Sequence, residues 1–485
     1  MSITSSLHNA MSGLSAAGRA AEIVASNVSN ALTDGYGRRE LDLSAQSLAG
    51  NGAGVRVTGV SRHVDTHVIS ERRLADASVA LTSERGEFYA RMERAIGLPD
   101  DDGSLTNRIA DFEASLLEAA SAPESDTRLG LVLSKAQGFA DHLNNASNEV
   151  QSIRMDADQE IGRKIEFLNE GLQRVVDYNV EIQQQLTSGR DATALFDQRQ
   201  VLIDQIAEIV PVKEVPRKNG QVSLYSPGGA VLVDSKAAVL GFSSVGVITA
   251  DMTKASGALS GLTINGQPAT TSSARSPIEG GSLAALFEVR DELAPKAQEQ
   301  LDAVARDMIE RFASTGVDPS LGATDPGLFT DGGAALDPLD EVGLAGRLSI
   351  NALADPAQGG DLWRLRAGLG ATGAGESGDS TMLYAMIDAL DQGRVAASGG
   401  FSPTARNAAT LASDFISVLG TARNSNDANI TYATSQASTL KTLELGDGVD
   451  TDRELQNLLL IEQAFSANAK VIATVDDLID QLLRI

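Results

Sequence analysis

The chain has 485 residues, a formal net charge of -26 and no cysteine. Because single cores stop growing at roughly 250–300 residues, we expect more than one domain. The negative charge would repel nucleic-acid phosphates and anionic membrane surfaces, and the lack of cysteine excludes disulfides and thiolate metal sites.

The first predicted element is a long helix that begins near Ile3. Apolar or small residues recur at alternating steps of four and three, as in a coiled-coil heptad, and no proline occurs before Pro99. Within residues 1–33 only Arg19 and Glu22 are ionised, so the outer face carries almost no charge. Since a solvated helix normally has a charged outer face, we expect this helix to pack against other helices. A small-residue helix inside an ordinary bundle is the alternative.

A second heptad pattern runs from Leu129 to Leu186 and predicts helical structure over roughly 90 Å at 1.5 Å per residue. Its phase slips by one residue near Asp158, so the pattern allows either one kinked helix or two helices. Further helices are predicted at Ala192–Val210, Leu283–Phe312 and Thr404–Leu443.

Two stretches between these helices have the composition of β structure. Val212–Val233 carries Asn219-Gly220 as a turn signal between alternating apolar runs, which predicts hairpins. In Gly316–Arg394 the best strand signals are Gly346–Leu353 and Leu362–Leu365. The predicted fold class is therefore mainly α with an inserted β-rich outer domain (α+β).

The last predicted element is a C-terminal helix that keeps the same alternation as the first, with Asn468 as the one polar position in the row. We expect the two ends to pair as a coiled coil, to fold only when neighbouring subunits supply a packing surface, and to take their register from this asparagine. The predicted assembly seam comprises Leu7, Leu14, Val24 and Val28 in the first helix, and Leu458, Ile461, Phe465, Asn468, Ile472, Val475, Ile479 and Leu482 in the last.

Three domains are predicted from this layout, each built from separate stretches of the chain. A terminal coiled-coil core takes residues 1–40 and 448–485. A long-helix bundle takes residues 41–210, 281–316 and 395–447, and the β-rich outer domain takes residues 211–280 and 317–394.

Few motifs suggest chemistry. His63 and His67 have the spacing of a metal pair on one helix face, but no third ligand is evident, and we interpret them as surface histidines. Asp100-Asp101-Asp102-Gly103 lacks the first and twelfth acids of a calcium loop, so we expect a loop and a helix cap. Gly368-x-Gly370-x-x-Gly373 matches a dinucleotide fingerprint by spelling, yet more glycines follow where a helix should begin. We therefore expect no catalytic residues, no cofactor and no metal.

Three further expectations concern function and location. One tryptophan and 4% aromatic residues leave little to line the cleft of a cell-wall hydrolase. No stretch approaches the ~18 consecutive apolar residues of a membrane span, so we expect no membrane insertion. Residues 1–15 lack both a basic and an apolar region, so we also expect no cleaved secretory signal.

Motifs at both ends resemble those of the bacterial flagellar rod, hook and hook-associated proteins. At the N-terminus these are Ala10-Met11-Ser12-Gly13-Leu14, Ala25-Ser26-Asn27-Val28-Ser29-Asn30-Ala31 and Gly35-Tyr36-Gly37-Arg38. At the other end, Glu462-Gln463-Ala464-Phe465-Ser466-Ala467-Asn468 is similar to the closing helix of that family. The family usually has a second Asn-Thr step where this chain has Leu32-Thr33, which changes the hydrogen bonding expected at that turn.

Other segments narrow the resemblance to members at the junction between hook and filament. They are Leu195-Phe196-Asp197-Gln198-Arg199, Gly280-Gly281-Ser282-Leu283 and Gly448-Val449-Asp450-Thr451-Asp452. The resemblance implies a non-enzymatic structural subunit of the extracellular flagellum, exported through the flagellar type III channel and associated with its own copies in a ring. It also implies contacts with hook protein, with hook-associated protein 3 and with an export chaperone. The alternatives are a hook or rod protein and, from a different class, a surface adhesin or a cell-wall hydrolase on a flagellar scaffold.

Overall fold

The computed structural model describes residues 3–48, 51–98, 100–272 and 276–483. Helices account for most of these residues, and the strands are few and short, which confirms the predicted class. In chain order the helices are α1 (Ile3–Ser29), α2 (Thr66–Ile96), α3 (Leu105–Ala120), α4 (Asp126–Thr187), α5 (Thr193–Ile209), α6 (Gly281–Glu288), α7 (Ala294–Phe312), α8 (Arg364–Ala367), α9 (Thr381–Asp391), α10 (Ala408–Gly446) and α11 (Thr451–Leu483).

The strands form four small antiparallel sheets. β1 and β2 make a long hairpin, β9 pairs with β10, and two three-stranded sheets have the orders β3-β4-β5 and β6-β7-β8. The strands are β1 (Arg38–Leu48), β2 (Asn51–His63), β3 (Lys213–Pro216), β4 (Val222–Tyr225), β5 (Val231–Val233), β6 (Leu240–Gly241), β7 (Thr263–Ile264), β8 (Gln267–Pro268), β9 (Phe329–Asp331) and β10 (Leu348–Ile350).

The longest helix, α4, runs without interruption for 62 residues, so the heptad pattern corresponds to one helix. The phase slip near Asp158 marks a buried charge. One Asp158 carboxylate oxygen accepts a hydrogen bond from Arg290 Nη1 at 2.6 Å, and the other accepts one from the Val245 backbone N–H at 2.7 Å. The apolar row on either side stays buried along the helix. The polar position therefore fastens α4 to two other parts of the chain.

Arg290 lies where the predicted helix Leu283–Phe312 is interrupted. The chain forms α6, a π-helical turn over Val289–Leu293, and then α7. A π-turn inserts one residue into the helix and redirects the side chains around it. In this turn the buried Arg290 guanidinium meets Asp158, and the Arg290 carbonyl oxygen accepts a hydrogen bond from Arg154 Nε at 3.2 Å. The interruption thus forms a buried polar joint between this helix and α4.

Four phenylalanines form the aromatic centre of the helical domain. The ring of Phe329, on β9, lies 5.2 Å from that of Phe312 and 5.8 Å from those of Phe112 and Phe139, measured between centroids. All four side chains are essentially inaccessible to solvent. Edge-on contacts of this kind add to the stabilisation from burial. The strands of the Gly316–Arg394 stretch, β9 and β10, therefore pack directly against α3, α4 and α7.

The predicted helices at Ala192–Val210 and Thr404–Leu443 are confirmed as α5 and α10. The α10 helix lies along α2, where Asn426 Nδ2 donates to the Thr82 carbonyl oxygen at 2.9 Å. The predicted hairpin turn is also confirmed, because Asn219 and Gly220 lie between β3 and β4 with φ of 57° and 72°. Left-handed backbone of this kind suits asparagine and glycine.

One predicted strand is wrong and one hairpin was not predicted. Leu362–Leu365 does not form a strand; the chain turns into the short helix α8, which ends at Gly368 with φ of 108°. Arg364 Nη1 closes this turn by donating to the carbonyl oxygens of Leu369 and Ala371. The β1–β2 hairpin, at residues 38–63, lies in a stretch for which the sequence predicted no strands. The strand signal at Gly346–Leu353 does contain a strand, β10.

Candidate functional site: the paired ends and their polar clamp

The two ends of the described chain meet in space. The α1 helix packs against α11 on one side and against the β1–β2 hairpin on the other. The hairpin contact is close, because Ser12 Oγ accepts a hydrogen bond from the Val55 backbone N–H at 3.2 Å and a Cβ on Gly54 would overlap that hydroxyl. The small uncharged residues of α1 therefore lie against protein on two sides.

The α1 and α11 helices run antiparallel, and two contacts fix their register. Gly13 faces Asn468 so closely that a Cβ on the glycine would lie 2.7–2.9 Å from the amide group. Fourteen residues along each helix, Asn27 Nδ2 donates to Glu454 Oε2 at 3.2 Å. Both contacts belong to the same antiparallel register. Any larger residue at position 13 would therefore require the Asn468 side chain to move.

The predicted seam residues lie at three levels of exposure. On α1, Val24 is buried, and Leu7, Leu14 and Val28 are partly buried. On α11, Val475 is buried and Leu458, Ile461, Asn468 and Ile472 are partly buried, whereas Phe465, Ile479 and Leu482 are exposed. A single chain thus covers part of the predicted seam and leaves its outer positions open.

Much of the apolar surface of α11 is uncovered. Five aliphatic side chains outside the predicted seam are 43–64% exposed: Leu455, Leu459, Leu460, Val471 and Leu478. Within the described residues one helical stretch, in Ala408–Leu483, has an 18-residue window of mean hydropathy 1.3 that is long and apolar enough to cross a membrane, and 6% of that window is buried. A single such helix is weak evidence for a membrane span, and a helix that packs against other helices has the same composition.

A cluster that we call the polar clamp joins α1, β1 and α11; it consists of Asn27, Tyr36, Arg38 and Glu454. The buried Asn27 side chain donates to Glu454 and to the Arg39 carbonyl oxygen, and its Oδ1 accepts from Tyr36 Oη at 2.9 Å. Glu454 is 1% exposed, and its other carboxylate oxygen accepts from Arg38 Nε at 2.8 Å. Since each buried polar group has a partner, the clamp holds the base of the helix pair in one geometry.

Asp197 connects the polar clamp to the helical domain. One oxygen of its carboxylate accepts from Arg62 Nε at 2.7 Å and from the Gly37 backbone N–H at 3.1 Å, and the other accepts from Arg39 Nη2 at 2.9 Å. Asp197 belongs to the segment 195–199 and Gly37 to the segment 35–38. Two motifs that are far apart in the sequence therefore bind each other.

A second ionic cluster holds the end of α10, just before α11. Arg72 donates to Asp204 at 2.6 Å and to Asp76 at 2.7 Å, and its Nε lies 2.5 Å from Glu444. Arg73 donates to the other oxygen of Asp204 at 2.6 Å. Burial alone would lower the pKa of Arg72, but the three carboxylates outweigh it and raise that pKa. The α2, α5 and α10 helices are thereby joined where the chain leaves the helical domain.

The remaining motifs take structural positions. His63 ends β2 and lies 3.2 Å from Glu40, whereas His67 is in the first turn of α2, so the two histidines do not share a helix face. Among the described residues no group of three or more His, Cys, Asp or Glu side chains is placed to hold a metal ion. Asp101 accepts from the Leu98 backbone N–H, and Ser104 caps α3. The glycines that begin at Gly368 lie in the loop after α8.

The sequence indicated the pairing of the ends but not the polar clamp. Glu454 lies four residues before Leu458, in the same apolar row, so an acidic residue there was a signal for a buried partner on another element. Asn27 was part of a family motif, but nothing in the sequence identified its partners. Asp197 likewise needed the hairpin, which was not predicted, to bring Gly37 and Arg62 to it.

Family models match three separate parts of the chain. The model described as flagellar hook-associated protein FlgK helical domain matches residues 89–318. The model described as flagella basal body rod protein matches residues 7–36, and that described as flagellar basal body rod FlgEFG protein C-terminal matches residues 446–485. The two terminal matches contain Asn27, Tyr36 and Glu454, so the polar clamp joins one to the other.

Individual relatives match about half of the chain. Flagellar hook-associated protein 1 of Bacillus subtilis (strain 168) is 28% identical over 240 residues, which cover 47% of either chain. That of Salmonella typhimurium is 26% identical over 243 residues, covering 49% of this chain and 44% of the relative. The matches thus span just under half of these relatives' length. A solved structure, the flagellar hook junction protein FlgK from Burkholderia pseudomallei, has a TM-score of 0.43 and 19% identity, covering 54% of this chain and 47% of that one.

Proposed function

Because the chain belongs to the family of bacterial flagellar rod, hook and hook-associated proteins, we propose that it is a structural subunit at the junction between hook and filament, without enzymatic activity. The observation that carries this proposal is the antiparallel pairing of α1 and α11, clamped to the helical domain and open along the outer face of α11. A paired helical end with several exposed apolar side chains is suited to packing among neighbouring subunits.

The middle of the chain favours the junction over the hook or the rod. The matches to rod proteins are confined to the two ends, at residues 7–36 and 446–485. The match at residues 89–318 is to the helical domain of a hook-associated protein, and it contains α3, α4 and α5 entirely. The ends therefore support membership of the wider family, and the helical domain supports the specific position.

Assembly would proceed by covering the exposed side chains of α11. Removing apolar surface from water contributes roughly 25 cal/mol per Å², and the outer face of α11 offers that surface only to a neighbour. We propose that copies of the chain form a ring in which these helices pack together, with hook protein on one side and hook-associated protein 3 on the other. The same exposed helix gives a physical reason for an export chaperone before passage through the type III channel.

The decisive experiment is deletion of the gene, followed by electron microscopy of the cells and an assay of the medium for monomeric flagellin. A junction subunit predicts hooks without filaments and flagellin lost to the medium. Rods without hooks would move the protein to the hook or the rod. Normal filaments would reject a role at the junction.

Complementation of that strain tests the helix pair directly. Ile472 is partly buried on α11, and Ile472→Asp would place an unpaired charge in the seam at a cost of roughly 3–5 kcal/mol. We expect the variant to keep the circular dichroism of the helical domain and to leave the hooks without filaments. The matched control is Val180→Asp on α4, where the side chain is 45% exposed, and it should restore filaments. Normal filaments from the Ile472→Asp strain would show that the seam is misassigned.

A further inference from the structure

A cationic cavity lies beside the polar clamp, on the other side of Arg62. Its volume is about 330 Å³, and it lies between four elements: the end of β2, the first turns of α2, the α5 helix and strand β3. Four permanently positive side chains line it (Arg62, Arg73, Arg199 and Lys213), against two acidic ones (Glu71 and Glu214). Arg62 and Arg73 are paired with carboxylates, so Arg199 and Lys213 carry the positive charge that needs an explanation in a chain whose net charge is -26.

Arg199 is the central group of this cavity. Its side chain is 5% exposed, and no carboxylate among the described residues forms an ion pair with it. Its Nη1 donates to two neutral acceptors, Asn179 Oδ1 at 2.8 Å and the Gly220 carbonyl oxygen at 2.7 Å. Within the described part of the chain its Nε and Nη2 have no acceptor. A buried guanidinium thus keeps donors and charge available to the cavity.

Arg62 and Arg73 each contribute one more unused nitrogen. Arg62 bonds Asp197 through Nε and the Gly35 carbonyl oxygen and Gln200 through Nη2. Arg73 bonds Asp204 through Nε and Glu214 through Nη1. No acceptor for Arg62 Nη1 or Arg73 Nη2 occurs among the described residues. Carboxylates therefore neutralise much of the charge on these two arginines, but their ion pairs do not use every donor.

The environment of Arg199 destabilises its charged form. Burial is the main cause that lowers the pKa of its guanidinium to about 10; Glu214 opposes the shift, and Arg62 and Arg73 add to it. The group remains charged at neutral pH. An anion in the cavity would relieve the repulsion among the three arginines and restore the pKa of Arg199 toward its ordinary value.

We propose that this cavity binds a carboxylate group carried on a short apolar stem. Guanidinium donors pair well with carboxylate oxygens, and Ile69, Phe196 and Ile203 line the rest of the cavity with apolar surface. The volume is at the lower end of small-ligand sites, so it fits a group of a few heavy atoms and not an extended polymer. The source is either a free carboxylic acid or a glutamate side chain of another polypeptide, and the experiment below separates the two.

The test uses the full-length protein in equilibrium dialysis against radiolabelled glutarate, at an ionic strength held constant with sodium chloride. We expect saturable binding of about one glutarate per chain. Arg199→Gln should raise the dissociation constant by about tenfold or more, because it removes a buried charge-assisted bond. Arg163→Gln, at a residue that is 65% exposed on α4 and paired with Glu160, is the control and should bind as the wild type does.

Lys213→Gln is a second test of the same cavity, for the case in which Arg199→Gln does not fold. Lys213 is exposed, and no ion pair or hydrogen bond involves its side chain in the described part of the chain. Its replacement should leave the circular dichroism unchanged and raise the dissociation constant by about threefold. Wild-type protein without saturable binding, or a Lys213→Gln variant with unchanged affinity, would overturn the proposal.

Competitors identify the ligand. The capped peptide Ala-Glu-Ala should displace glutarate, whereas Ala-Gln-Ala should not; displacement by both would overturn the carboxylate assignment. A Glu peptide that competes more strongly than glutarate supports a side chain of another polypeptide, and one that competes more weakly supports a free acid. Inorganic phosphate that displaces glutarate at lower concentrations than glutarate itself would overturn the choice of a carboxylate.

Discussion

The α4 and α11 helices have the same apolar pattern and opposite environments. Along α4 the row that includes Val132, Phe139 and Leu172 is completely buried by other parts of the same chain. Along the 33 residues of α11 only Glu454 and Val475 are buried. A heptad pattern therefore predicts that a helix will have a partner, but it does not reveal whether that partner lies in the same chain.

The two helices also differ in how their polar positions are used. In α4 the buried Asp158 meets Arg290, and both charges are enclosed by the domain. In α11 the buried Glu454 lies at the first turn, and the rest of the helix extends away from it with little cover. The helical domain is thus closed by its own contacts, whereas the terminal pair is fixed at its base and open along its length.

The largest predicted effect is a difference in stability between two Phe→Ala variants, one in the helical domain and one on α11. Phe329→Ala removes a ring that contacts three other buried phenylalanines, and we expect it to lower the free energy of unfolding by roughly 3–5 kcal/mol. Phe465→Ala removes a ring that is 45% exposed on α11, and we expect a loss within about 0.5 kcal/mol in the isolated chain. Urea unfolding monitored by circular dichroism measures both.

The difference should reverse in the assembled flagellum. If Phe465 packs against a neighbouring subunit, Phe465→Ala will impair incorporation although the chain itself stays stable. Equal losses of stability for the two variants would mean that α11 is already covered in the isolated protein, and the comparison between the regions would fail.

The second prediction concerns the pH dependence of stability in the helical domain, through the buried carboxylate of Asp302. Asp302 on α7 accepts from Gln298 Nε2 and from the backbone N–H groups of Gly343 and Ala345, each at 2.8 Å. Burial nevertheless raises its pKa from 3.8 to about 6. The folded state therefore favours the protonated form. Protonation of Asp302 adds ~3 kcal/mol to the free energy of unfolding below pH ~4, and this contribution is lost as the pH rises through about 6.

Asp302→Asn isolates this contribution, because asparagine does not titrate. The wild type should be most favoured relative to the variant at low pH, where Asp302 is neutral as asparagine is. Its advantage should shrink by up to ~3 kcal/mol between pH ~4 and ~6, as measured by urea unfolding at several pH values. An advantage that stays constant over this range would show that Asp302 does not titrate there.

The sequence predicted those features that depend on local periodicity. The uninterrupted row of α4, the α5 and α10 helices and the turn at Asn219-Gly220 were all recognisable, because heptad spacing and turn chemistry act over a few residues. The strand predicted at Leu362–Leu365 failed because Arg364 closes a helical turn with carbonyl oxygens that follow it. A short apolar run does not indicate which side-chain bonds will close around it.

The parts that the sequence missed depend on contacts between distant segments. The β1–β2 hairpin is stabilised by α1 above it and by Asp197 from α5, and its own residues alternate too weakly to indicate strands. Glu454 and Asn27 are 427 residues apart, so no local rule could pair them. The predicted assembly seam remains a prediction as a whole, and a single chain leaves Phe465, Ile479 and Leu482 exposed.

The smallest effect should arise at the base where the two regions join. Asn27→Ala removes hydrogen bonds to Glu454, Tyr36 and the backbone of Arg39, and leaves buried groups without partners. We expect a loss of roughly 1–3 kcal/mol that is confined to the terminal pair, because the helical domain does not depend on these bonds. Amide hydrogen exchange should therefore become faster in α1 and α11 and stay unchanged in α4.

Asn30→Ala is the matched control for this prediction. The Asn30 side chain donates to the Ser26 carbonyl oxygen and accepts from Thr33 Oγ1. Both partners are local and neither belongs to α11, so its removal should change exchange in the terminal pair little. Faster exchange throughout α4 after Asn27→Ala would mean that the polar clamp stabilises the whole chain and that the two regions fold as one. Faster exchange that is confined to α1 and α11 would instead identify Asn27 and Glu454 as the joint between two regions. One is a helical domain that is complete by itself, and the other is a helix pair that a neighbouring subunit completes.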